Sequence, residues 1–82
     1  MGTDQMITFS LKNSHGQEKF FKMHTDNELF KVFERYSSDL GVDASSLRFL
    51  FDGERLDGNQ TPKGIEMEQN DCIDVFEMQT GG

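Results

Sequence analysis

Few residues in this chain have types and spacing suited to chemistry, and the most suggestive pair stands at its end. Gly81-Gly82 closes the sequence. An acyl group carried on two residues without Cβ can thread a narrow channel and be approached closely by a nucleophile. A bulky residue there would obstruct both steps. Taken alone, a terminal Gly-Gly is more often a flexible end with no role. Cys72 is the single cysteine and the one candidate nucleophile, but neither His15 nor His24 stands in a context that marks it as an activating base. A packing or surface role for Cys72 is the better reading. The two histidines and the scattered carboxylates lack zinc or calcium spacing, so no metal and no cofactor is expected.

Composition narrows the classes further. The 82 residues allow one domain and leave no room for a deep cleft between subdomains. Hydrophobic residues make up 34% of the chain and include eight Phe, which predicts a small, aromatic-rich core. The net charge of -7, from 15 acidic and 8 basic residues, argues against a nucleic-acid binder held by phosphate contacts. It suits a basic protein partner, or a solvated acidic surface that keeps the protein soluble. One cysteine excludes an internal disulfide framework and is consistent with a reducing compartment. No apolar stretch approaches the roughly 20 residues of a membrane helix and no signal-peptide pattern opens the chain. A soluble protein without membrane attachment is the expectation.

The elements that must position these residues follow from periodicity. Ile7, Phe9 and Leu11 alternate with Thr8, Ser10 and Lys12, the period-2 pattern of a half-buried strand. Asn13-Ser14-His15-Gly16 supplies a turn, and residues 18–23 resume a β-prone run with Phe20 and Phe21. Together they predict a hairpin. Thr25 and Glu28 have the spacing of a capping box, ahead of Leu29, Val32, Phe33, Tyr36 and Leu40 at helical spacing, with Gly41 as the left-handed stop. Leu47-Arg48-Phe49-Leu50-Phe51 reads as a short strand, Asp52-Gly53 as a turn, and Arg55-Leu56 as a brief strand. Thr61-Pro62 resembles an N-cap and first helical position of a single turn. Cys72-Ile73-Asp74-Val75-Phe76 alternates again and predicts a last, central strand with Ile73 and Val75 on one face. The sum is an α+β layout, one helix crossing a mixed four- to five-stranded sheet.

With the segments in place, "SLRFLFDGERL" at 46–56, "TPKGIEME" at 61–68 and the terminal "QTGG" at 79–82 closely resemble the SUMO family of ubiquitin-like modifiers. The resemblance runs from about Ile7 to Gly82. It implies the β-grasp fold, no enzymatic activity, and a division into a flexible remnant at 1–5, a ubiquitin-like domain at 6–77 and a flexible conjugation tail at 78–82. Glu77-Met78-Gln79-Thr80 before the glycines contains no Lys or Arg, which separates the tail from the basic one of ubiquitin and implies a SUMO-type activating enzyme.

The family's chemistry implies adenylation of the Gly82 carboxylate, transfer to a cysteine thiol of another protein, and attack by a substrate lysine. Activating enzyme, conjugating enzyme, ligases and SUMO proteases are the implied partners, for a monomer expected in nucleus and cytoplasm. The family also reads SUMO-interacting peptides by strand addition beside the helix. Carried over by position, that groove comprises Phe20, Phe21, Lys22, Met23 and His24 with Lys31, Val32 and Arg35. Phe21, Met23 and Val32 would line it, although periodicity alone favours reading them as core, and both can hold for a groove floor. Asp52, Arg55, Glu68 and Asp71 resemble the family's contact with its conjugating enzyme, with a plain solvated acidic face as the alternative. Two departures reduce positive charge: His24 stands where relatives commonly have Lys, and Asp39 where they commonly have Arg. A weaker preference for acidic or phosphorylated peptides follows. None of Lys12, Lys19, Lys22, Lys31 and Lys63 lies in the hydrophobic-Lys-x-acid pattern of a conjugation acceptor. A SUMO-like peptide-binding module that is never conjugated is the alternative reading.

Overall fold

The computed structural model describes residues 5–77. Strands β1 (Met6–Lys12) and β2 (Glu18–His24) form an antiparallel hairpin. Asn13 Oδ1 accepts from the N–H groups of His15 and Gln17, and Gly16 takes φ 82°, so the turn is closed by the residue types that announced it. Helix α1 (Phe30–Leu40) follows, then a 3-10 turn at Ala44–Ser46 that periodicity did not signal. β3 (Leu47–Phe51), β4 (Glu54–Arg55) and β5 (Asp71–Glu77) complete a five-stranded sheet in the order β2-β1-β5-β3-β4. β5 is central, parallel to β1 and antiparallel to β3. This mixed sheet with one helix across it is the ubiquitin-like β-grasp architecture.

Alternation decides what is buried. Ile7, Phe9, Leu11, Met23, Leu47, Phe49, Ile73 and Val75 meet Leu29, Val32, Phe33 and Tyr36 in one core. Aromatic rings knit helix to sheet: Phe33 stacks on Phe49 at 3.8 Å between centroids, and Tyr36 meets Phe49 and Phe21 edge-on at 6.3 and 6.4 Å. Cys72, Asp74 and Phe76 take the opposite face of β5, as expected.

The start of α1 differs from the capping-box expectation. The helix begins at Phe30 with Leu29 as N-cap, and no side chain caps it. Thr25 is committed elsewhere: its N–H donates to the Gln5 carbonyl and its own carbonyl accepts from Lys63 N–H. The first free N–H groups of the helix are met instead by a distant loop, Leu29 N–H donating to the Gln60 carbonyl and Phe30 N–H to that of Gly58. This close approach explains the glycine, since a Cβ at position 58 would lie 2.7 Å from Phe30 Cβ. Gly41 ends the helix at φ 75°, as its residue type predicted. Thr61-Pro62 opens a single turn, as expected, the Thr61 carbonyl accepting from Ile65 N–H at 3.1 Å. Thr61 Oγ1 accepts from Gly64 N–H like an N-cap, but Glu66 at φ 58° breaks helical continuation.

Candidate functional site

Among the described residues β2 is an edge strand, with no sheet partner on one side of its backbone. Its side chains divide by parity. Lys19, Phe21 and Met23 stand opposite the buried Leu11, Phe9 and Ile7 and therefore face α1. Phe20, Lys22 and His24 stand opposite Ser10, Thr8 and Met6, on the outer face of the sheet. The eight residues of the expected groove are thus not brought together. Phe21, Met23 and Val32 form the floor of the β2–α1 surface, Met23 and Val32 being part of the core and Phe21 packed against it. Lys31 and Arg35 are exposed on the helix. Phe20, Lys22 and His24 belong to the other side, where Phe20 is 63% exposed. A one-residue step along a strand reverses its face, which is why a contiguous run cannot line one groove with side chains.

The structure adds two residues to the groove. Lys19 Nζ reaches across from β2 to Asp39 Oδ2 at 2.6 Å, and Arg35 Nε lies 3.6 Å from Asp39 Oδ1. Asp39 thereby links the start of β2 to the last turn of α1 and engages two of the cations at that end. The Lys19 hydrogen bond is the main reason its carboxyl lies below the ordinary range; desolvation opposes the shift, and the charges of Lys19 and Arg35 add to it. Tyr36, beneath the same contact, has its hydroxyl pushed up by burial, with Lys19 pulling the other way. In the sequence Asp39 stands out only as a lost cation. The signal for Lys19 was present in its alternation with Phe21 and Met23.

The second set divides between two neighbouring places. Asp52 follows β3, Asp71 opens β5, and those strands pair antiparallel, so both carboxylates lie at one end of the sheet. Asp52 and Arg55 line a shallow cleft with Gln60, Ile65 and Glu66. Glu68 lines a different one beside Met6, Thr25 and Met67. Glu68 and Asp71 close a tight turn on each other, Asp71 Oδ2 accepting from Glu68 N–H at 2.8 Å and Asp71 N–H donating to the Glu68 carbonyl at 3.1 Å. Both backbone and side chain of Asp71 hold this turn.

Gly81 and Gly82 lie outside the described residues. The strand leading toward them, β5, stays in register with β3 through Glu77 opposite Leu47. Cys72 is half-buried on the outer sheet face, and its Sγ lies 3.8 Å from the Ile73 carbonyl. Among the described residues no group of three or more His, Cys, Asp or Glu is arranged to hold a metal ion. None of their helices is long and apolar enough to cross a membrane.

The fold and its free edge beside a helix place the chain among ubiquitin-like proteins. Comparison with known proteins narrows the class. The ubiquitin-2-like, Rad60 SUMO-like family profile matches residues 7–76. Small ubiquitin-related modifier 2 of Arabidopsis thaliana is 42% identical over 76 residues, covering 93% of this chain and 74% of that protein. The chain belongs to the SUMO-like family, whose members are protein modifiers and not enzymes.

Proposed function

We propose that this protein is a covalent modifier, joined through the Gly82 carboxylate to substrate lysines by SUMO-type activating and conjugating enzymes acting in nucleus and cytoplasm. Family membership together with Gly81-Gly82 carries the reading. The uncharged Gln79-Thr80 supports the SUMO-type enzymes over those that take a basic tail. In this reading residues 6–77 are the recognition body and 78–82 the acyl-donating tail. Ligases and SUMO proteases act on the same end. Extended peptides add to the free edge of β2, setting apolar side chains over Phe21, Met23 and Val32. Lys31 and Arg35 flank them, and Asp52, Arg55, Glu68 and Asp71 contribute the conjugating-enzyme surface.

Incubation with SUMO activating and conjugating enzymes and ATP tests the proposal. A thioester that reducing agent removes is expected, and its absence with cognate enzymes overturns the reading. On a modified lysine, trypsin should leave a branch of residues 64–82, because no Lys or Arg follows Lys63. A peptide-binding module that is not conjugated is the second reading, favoured by the open β2 edge alone. It predicts groove binding without thioester formation.

A further inference from the structure

Parallel pairing of β5 with β1 begins only at Phe9 opposite Asp71. Asn70, at φ 68°, turns the chain out of extended conformation immediately before it. Upstream of that point β1 still presents backbone groups on its β5 side, and a side chain meets them. The Thr8 N–H donates to Gln69 Oε1 at 2.9 Å, while Gln69 Nε2 donates to the Met6 carbonyl at 2.8 Å. One planar amide thus supplies the acceptor and the donor that a neighbouring strand would have supplied. Its orientation is dictated by its partners, since an N–H requires an acceptor and a carbonyl a donor. Asn70 N–H adds a bond to the Thr8 carbonyl at 2.7 Å.

These bonds tie to β1 the same turn in which Glu68 and Asp71 close on each other. Without them the turn would keep only its flanking anchors, β5 on one side and the buried Met67, whose N–H donates to the Pro62 carbonyl, on the other. We propose that Gln69 is a positioning residue for the acidic surface: its clasp on β1 fixes Glu68 and Asp71 for a basic partner surface. This rests on the reading of Glu68 and Asp71 as part of the conjugating-enzyme contact. Glutamine suits the position because it offers both halves of the pairing, whereas Glu would present only acceptors to the Met6 carbonyl.

The near-isosteric Gln69→Met tests it in the full chain, with two readouts. Hydrogen exchange at the Thr8 amide should accelerate, and calorimetry should show noncovalent affinity for the conjugating enzyme falling about fivefold, the scale of one lost hydrogen bond. In a Glu68→Ala/Asp71→Ala background the same substitution should cause no further loss, an outcome that general destabilisation or direct contact by Gln69 would not produce. Unchanged Thr8 exchange overturns the clasp. Accelerated exchange with unchanged affinity, or a loss that persists in the double-alanine background, overturns the positioning role. If Glu68→Ala/Asp71→Ala itself binds as tightly as the parent, the surface reading falls, and the proposal with it.

Discussion

The β2–α1 groove and the turn at residues 68–71 are both surface features at the margins of one sheet, yet they are held by different means. The groove floor is hydrophobic core seen from its edge: Met23 and Val32 are buried, and Phe21 packs on Tyr36. The turn has almost no apolar support of its own. Glu68, Gln69 and Asn70 are exposed, and hydrogen bonds to β1 and within the turn hold its shape. A surface that is the outside of a core changes only if the core changes. A surface hung on hydrogen bonds can be altered without unfolding anything.

The largest expected effect tests the first half of that contrast. Met23→Ala should destabilise the protein by about 3 kcal/mol in urea unfolding, through lost burial and the cavity left behind. Phe20→Ala, on the same strand but facing away, should shift stability by no more than about 0.5 kcal/mol although it removes a larger side chain. Equal losses would break the alternation on which the groove rests.

In the turn, Asp71→Ala removes the carboxylate that accepts from Glu68 N–H and should cost about 1 kcal/mol, with little change at Phe21 or Tyr36 by NMR. Global loosening would show that the two regions are not independent.

Smaller again is the Asp39 contact. Asp39→Asn should leave folding near its parent value and raise affinity for peptides with acidic flanks about threefold, because Lys19 and Arg35 are released from an exposed ion pair. Phosphorylating a peptide should then increase binding more for the variant than for the parent. Equal gains would remove Asp39 from the account of specificity.

The smallest effect is its pH dependence. A carboxyl whose folded pKa is depressed contributes stability above its unfolded pKa, and loses it as pH falls through the folded value. NMR titration should therefore show the Lys19 contact intact through neutral pH and opening only below the ordinary aspartate range. Opening near neutrality would contradict the geometry.

Most of the groove was legible because burial writes itself into alternation. Ile7, Phe9 and Leu11 mark an inner face in the residues themselves, and Phe21 and Met23 register against them. Phe20, Lys22 and His24 belong to the same run but face the other way, because a strand gives its neighbours to opposite sides. The helix start was misread for another reason. Thr25 and Glu28 have the right local spacing, but the carbonyls of Gly58 and Gln60 answer the helix N–H groups from far along the chain. Gln69 left no signal at all. Its partner Thr8 is 61 residues away, and nothing about a lone glutamine in a polar turn announces a strand-like bond. Hydrophobic contacts leave a periodic trace, whereas a single long-range polar contact leaves none.

The place of β5 has a consequence for the order in which the molecule is made. β1 and β2 can pair early, and so can β3 and β4, but the two halves of the sheet touch only through the strand between them. During synthesis from the N-terminus that strand arrives last, so the body cannot close until residues 71–77 have emerged. Closure of the sheet therefore waits on residues 71–77, the strand on which both of its halves depend.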